Sequence, residues 1–584
     1  MKLLSLIFLL FFLTKQIFSN EVEVIELHES KSLDQMVLDQ FNNTNINEDQ
    51  NTETIEAENT LEVSNEDNLV KENNIAQDSF WKPISPADIN NYLKNAEELN
   101  SKILKKEFSS FIDNLNLDLN IDENRKIYFL ITEYFYRIGN LSKAYNLTSK
   151  ISIENNEKAD FYTMINFNYL LSTFQLEKVC NLKNNISSEI KLKNYLIEKI
   201  DIFCLILNEN FSEAELINSI LIETESNLDN YFQELYVTLI NKNNDQNDFK
   251  EEFDQSINKD LIFLYSAMLR ISDLPLSREF LKVDSKNLAI PIILNRATPI
   301  ELRIQAANES YTNNNISIES LAALYQSVDF NSEQLNNPKE TIKTYTNKIE
   351  ILMAYYFQLI NIQIFPSERL EALISFWDFA KLNNLEEIAY SLSYKIIQSV
   401  EISAENLKFS PDIATSYIYN KNYDKALSWI EFYENSNGSD ENITYVRILL
   451  SLYSAKELNS IVEIIINNYD NFESNNQAKN EELIFILLNI LNGTNDIKLN
   501  EDFGKIYDER PMPSLFITNN LNKAIEDDNY QQFLIYSIIS LNNKEWSEIH
   551  PDHLNLILVG YLNFNYSELV KEIVLEIFKN YKIL

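Results

Sequence analysis

Apolar residues recur along this chain with a helical period, and the period itself repeats. Ile127, Leu130, Tyr134 and Phe135 stand at i, i+3, i+7 and i+8. The same spacing returns 35 residues later as Tyr162, Ile165, Tyr169 and Leu170, and after another 35 as Ile197, Ile200, Cys204 and Leu205. This is the stripe by which an amphipathic helix buries one face. Each copy runs into a related join, at residues 139–144 (GNLSKA), 174–179 (FQLEKV) and 209–214 (ENFSEA). A helix, a short polar join and a second helix, repeated close to the 34-residue period of tetratricopeptide units, predict an all-α fold. The expected form is a right-handed α-solenoid of stacked antiparallel hairpins, TPR-like and in two halves, with a long curved surface rather than a closed active-site cavity.

The same patterning divides the chain. Residues 3–13 are apolar except for Ser5, follow Lys2 and are too short to span a membrane, so residues 1–20 read as a cleaved secretory signal and the protein as periplasmic. Residues 21–78 mix acids, Asn, Gln and Thr with isolated aliphatics and contain one aromatic, Phe41, which predicts a disordered acidic arm. Order is expected from residue 79, where Phe80 and Trp81 can cover the open end of the first hairpin and Ser85-Pro86 start a helix as N-cap and first residue.

An N-terminal helical-repeat half then occupies 79–271. Pro275, Pro291 and Pro299 mark a junction at 272–303, and Thr298-Pro299-Ile300-Glu301 reads as an N-cap, Pro at the first helical position and an acid in the first turn. A degenerate C-terminal half fills 304–584, with a long helix at 341–361 and looser joins near 385, 423, 457 and 566. Residues 471–479 and 500–513 look like excursions from the stack, and a last helix is expected at 567–580.

Charge narrows the function. The chain carries −39, of which residues 21–78 hold −14, and the first twenty residues are positive by Lys2 and Lys15, so the body beyond residue 78 is at −27. Such a body repels phosphate backbones and anionic membranes, which argues against nucleic acid; the charge reads first as a means of solubility, with a basic protein partner or loosely held divalent cations as the sharper alternative. With five glycines, at 139, 438, 493, 504 and 560, there is little from which to build a phosphate-cradling loop or a strained catalytic turn. No G-x-S-x-G, EF-hand or H-E-x-x-H pattern is present.

Two residue groups invite chemistry. His550 and His553, three apart beside Glu548 and Asp552, could share a metal, but no second ligand group accompanies them and the pattern reads instead as a helix start with Pro551 at its first position. No metal ligand, cofactor or catalytic residue is assigned. Cys180 and Cys204 fall on helices expected to pack antiparallel, so after export they can form a disulfide. Counted from a turn near Ser187, their heights differ by about 15 Å unless the connection is long, and two buried thiols are the other reading.

Several segments resemble a known but uncharacterised family, the exported helical-repeat proteins of α-proteobacteria, some of which carry an antifreeze-glycopeptide-like label. The likeness lies in Ser79-Phe80-Trp81, Ile202-Phe203-Cys204-Leu205-Ile206-Leu207, Ala297-Thr298-Pro299-Ile300-Glu301-Leu302-Arg303 with Ala306-Ala307, and Leu321-Ala322-Ala323-Leu324-Tyr325. It implies an envelope location and an all-α fold and transfers no catalytic residue. The expectation is a non-catalytic periplasmic scaffold that binds a polypeptide. The rival is an envelope enzyme acting on peptidoglycan or another polymer through a superhelical body.

Overall fold

The computed structural model describes residues 86–113, 115, 117–151, 156–241, 257–284, 286–313, 315–438, 440–454, 486–491 and 510–580. Among them there is no strand: the fold is all-α. In chain order the helices are α1 (Pro86–Glu98), α2 (Lys102–Asp113), α3 (Asp122–Arg137), α4 (Leu141–Thr148), α5 (Ala159–Ser172), α6 (Leu176–Asn184), α7 (Leu196–Leu207), α8 (Phe211–Thr224), α9 (Asn230–Asn241) and α10 (Ile262–Ile271). Two short helices follow, α11 (Arg278–Asp284) and α12 (Ala289–Leu294), then α13 (Ile300–Thr312), α14 (Ile318–Gln326), α15 (Ser332–Asn336), α16 (Pro338–Thr344), α17 (Ile349–Ile362), α18 (Pro366–Leu382) and α19 (Glu386–Gln398). The remainder are α20 (Ser410–Tyr419), α21 (Tyr423–Asn437), α22 (Glu441–Ser454), α23 (Leu515–Glu526), α24 (Tyr530–Leu541), α25 (Pro551–Asn563) and α26 (Ser567–Asn580). None of the described helices is long and apolar enough to cross a membrane.

The three 35-residue units are the pairs α3/α4, α5/α6 and α7/α8, each pair packed together and each against the next. Eleven of the twelve column residues lie in the main apolar cluster or against it, and the twelfth, Tyr162, is buried as well. The joins share one geometry. Gly139, Phe174 and Glu209 have φ of 88°, 58° and 61°, in the left-handed region. The residue after each donates its N–H to the carbonyl five residues back: Asn140 to Phe135, Gln175 to Leu170 and Asn210 to Leu205, at 2.8–2.9 Å. This is the long bond of a Schellman ending, which satisfies the last carbonyls of one helix while turning the chain into the next. The same corner recurs after α10, α18, α20, α23 and α25, centred on Asp273, Asn384, Lys421, Asp528 and Asn565.

At seven of these corners the fifth residue beyond the centre is buried where the two helices cross. It is Ala144, Val179, Ala214, Ala389, Ala426, Phe533 or Val570, small in all but one case. Gly139 is the one glycine among the described corners of this kind. It meets a second demand, because a Cβ there would sit 2.5 Å from the Cβ of Lys286, in the turn between α11 and α12.

Several sequence expectations move. The helix expected at 341–361 is two, because the chain breaks at 345–348. The Tyr345 hydroxyl accepts from Gln334 Nε2 at 3.0 Å and its ring meets Phe330, while Lys348 turns to Glu301, geometry a continuous helix would not supply. Thr298 does not cap α13. Its hydroxyl accepts the N–H of Leu276 at 3.0 Å, and Pro299 is the N-cap. Pro291 lies within α12, near its start, where its missing N–H has no helical acceptor to lose. The stretch 272–303 thus holds two short helices, and residues 290–294 are buried. Phe80, Trp81 and Ser85, the join near 457 and the excursion at 471–479 lie outside the described residues, as do residues 500–509 of the other excursion.

The ends of the described array meet, which the repeat pattern did not foretell. α24 packs on α1, and α26 packs on α2 and on α22. Ser101, the N-cap of α2, donates its hydroxyl to Glu576 Oε2 at 2.6 Å, and the Lys102 N–H donates to Oε1 at 2.7 Å. Trp546 Nε1 donates to Oε2 at 3.0 Å. Contacts between helices run in a closed circuit from α1 through α13 and α22 back to α26 and α2.

Candidate functional site

Cys180 on α6 and Cys204 on α7 are joined as a disulfide, with Cα atoms 5.6 Å apart. The height mismatch expected from a tight turn is absent because the connection spans residues 185–195, long enough for α7 to slide along α6 until the two positions are level. Lys183 and Asp201 form an ion pair across the same two helices.

The two histidines do different jobs. His550 is the N-cap of α25, where its Nδ1 accepts the Asp552 N–H at 3.1 Å. His553 is buried, with Nε2 2.8 Å from the Ser540 hydroxyl. That hydroxyl donates to the Ser537 carbonyl at 2.6 Å, so Nε2 carries the proton and donates to Ser540. Burial, then Lys544 and His550, push the His553 imidazole down to about 4.

A buried ionic node escaped the sequence reading. Lys199 is fully buried in α7, with its ammonium 2.9 Å from Glu225 Oε1 and 2.8 Å from Asp229 Oδ2. Tyr265 donates to the same Asp229 oxygen at 2.6 Å. Asp229 also accepts the Phe232 N–H at the start of α9. Burial first, and then Asp229, drive the Tyr265 hydroxyl far above the usual phenol range. The node fixes α7, α9 and α10 to one another, and with no water access to the ammonium it is a structural clamp. Its one sequence signal is the single cation of α7, a mostly apolar helix whose other charged residues are the acids Glu198 and Asp201.

A cleft of about 790 Å³ lies between residues 275–279, the start of α13 and the start of α17. Its charged groups answer one another. Glu301 is held below the usual carboxylate range by a hydrogen bond from Lys348, then by its own backbone N–H, with burial opposing. Arg278, Glu279 and Glu350 complete the rim, and neither histidine nor cysteine lines it. A second cleft of about 410 Å³ sits at the α20/α21 corner beside Tyr394, Lys421 and Asp424.

Large exposed apolar side chains gather in three places: Ile364 and Phe365 before α18, Leu515 and Phe516 at the start of α23, and the outward faces of α8 and α9. Comparison with protein-family models, with curated proteins and with solved structures returns no match.

Proposed function

We propose that this protein is a non-catalytic, exported scaffold that binds a polypeptide in the cell envelope, built as a TPR-like, right-handed α-solenoid of helical hairpins. The observation that carries the reading is the recurrence of one hairpin corner, with its left-handed residue and its long N–H···O=C bond, from residue 139 to residue 565. Units joined in one way line up equivalent side chains from helix to helix, and a surface so made grips a polypeptide through many modest contacts.

Export rests on the apolar run at residues 3–13 and accords with a Cys180–Cys204 crosslink, which persists in oxidising compartments. The resemblance to exported helical-repeat proteins points the same way. A net charge of −39 favours a basic partner, whose association slows as salt screens the attraction.

The test is affinity capture of the mature protein from envelope extracts at low and high salt. Reproducible enrichment of a basic protein, weaker at high salt, is expected. No enrichment, together with cleavage of peptidoglycan or another polymer by the purified protein, would replace the scaffold with the enzyme reading.

A further inference from the structure

Between Lys199 and Lys242 the sequence holds no lysine, arginine or histidine, while eight acids fall in the interval. That interval builds the last turns of α7 and all of α8 and α9. α8 is apolar on two sides. Ala214 and Leu221 are buried at the crossing with α7, and one side of the opposite surface carries Leu216 and Ile220, one turn apart and 62% and 53% exposed. Glu213 and Glu223 stand beside this pair and are exposed. On α9, Val237 is 52% exposed and Glu234 is exposed.

The two helices are locked together by a reciprocal amide pair. Asn218 Nδ2 donates to Gln233 Oε1 at 2.8 Å, and Gln233 Nε2 returns the bond to Asn218 Oδ1 at 2.9 Å. The Lys199 node clamps the base of α9 as well, so the surface is rigid before anything binds. An exposed pair of large aliphatics on a held helix whose charged residues are all carboxylates has the chemistry of a receptor for a segment that is apolar on one side and cationic on its flanks.

We infer that the outward face of α8, with Leu216 and Ile220 as its apolar stripe and Glu213 and Glu223 as its flanks, docks a basic amphipathic helix of a partner protein. This rests on the scaffold reading and names where, and to what, the scaffold binds. The fourteen residues of α8 span about 21 Å, so the docked element is a helix of about four turns. A second copy of the chain is the wrong occupant by charge, because it would set carboxylates against carboxylates.

The probe is a fluorescein-labelled amphipathic helix of about 18 residues built from leucine and lysine, with a control of the same composition in scrambled order, titrated against the full mature chain. The amphipathic peptide should bind saturably and the scrambled one about tenfold more weakly, with affinity falling from about 50 to about 500 mM salt. Leu216→Ser with Ile220→Ser, and separately Glu213→Lys with Glu223→Lys, should each weaken binding about tenfold or more at an unchanged melting temperature, since all four side chains are exposed.

Equal binding by the scrambled peptide, or by either double variant, overturns the assignment. So does a wild-type dimer that the Leu216→Ser, Ile220→Ser variant turns into a monomer, or flotation on neutral phosphatidylcholine vesicles that the same variant abolishes. If that variant captures the same envelope proteins as the wild type, the face is wrong and the scaffold stands. If the wild type captures none, the scaffold itself fails.

Discussion

Phe533 stands where six other corners place alanine or valine, and Gly560 makes the room. A Cβ built on Gly560 would lie 2.0 Å from Phe533 Cζ, in a fully buried cluster that also holds Tyr561 with its ring centroid 5.0 Å away. Large and small have exchanged sides of one contact. Gly560→Ala should therefore destabilise by about 1–3 kcal/mol or more despite alanine's better helix propensity, and adding Phe533→Leu should restore about half of the loss in a denaturant titration.

His553 yields a pH signature. Its folded value of about 4 lies below the ordinary 6.5, so the unfolded chain binds the extra proton first. Stability from this group is complete above pH 6.5 and drains away as pH falls toward 4, by on the order of 3 kcal/mol. In His553→Gln that acid slope should flatten between pH 6.5 and 4, whatever the variant's stability at neutral pH. A slope identical to wild type would place the proton uptake elsewhere.

At the scale of elements, the corners carry removable strain. Glu209 adopts φ 61°, a left-handed conformation that costs a residue with a Cβ about 1 kcal/mol and glycine little. Glu209→Gly should raise the unfolding free energy only slightly, by at most about 0.5 kcal/mol in a denaturant titration, since glycine's own entropy cost of about 0.5–1 kcal/mol offsets most of the relief. Gly139→Ala should do the reverse and more, since it meets Lys286 as well. The α6–α7 crosslink closes a loop of 24 residues, and on the chain-entropy account its loss in Cys180→Ser with Cys204→Ser costs about 3 kcal/mol. Mass measurement of the wild-type protein, alkylated without reduction, should find no alkylated thiol.

For the whole molecule, the decisive contact is one carboxylate. Glu576 accepts the Ser101 hydroxyl, the Lys102 N–H and the Trp546 indole N–H, and Ser101 and Trp546 are both buried. Around it, Asn100 donates to the Asn543 carbonyl at 2.9 Å, and Tyr530 donates to Glu107. Glu576→Ala strands three donors, at a cost of about 2–4 kcal/mol. Because the lost bonds join the first helices to the last, amide exchange should accelerate in α1, α2 and α26 while the α5–α8 hairpins keep their protection. Uniform acceleration along the chain would mean that Glu576 matters to the core as a whole and not to the closure.

What the sequence determined by itself is what a period of 3.6 residues can carry. Packing of the 122–215 hairpins, the end of α10 at Ile271 and the whole of α26 follow from stripes, caps and breakers read within one or two helices, because helix formation and hairpin turning are local events. The left-handed centres at Phe174 and Glu209 were hidden, since neither residue advertises that conformation and the corner imposes it. The level at which Cys180 meets Cys204 depended on how far a loop lets two helices slide. The break at 345–348 depended on Phe330, Gln334 and Glu301, none of them in the helix it interrupts.

Of the candidate interaction surface, the missing cations between Lys199 and Lys242 were plain in the sequence. Which of its aliphatics face outward was not, because α8 is apolar on both sides and only its packing against α7 chose the buried one. Closure was decided by tertiary structure alone. Ser101 and Glu576 stand 475 residues apart, and no local spacing encodes a hydrogen bond between two chain regions that meet only after everything between them has folded.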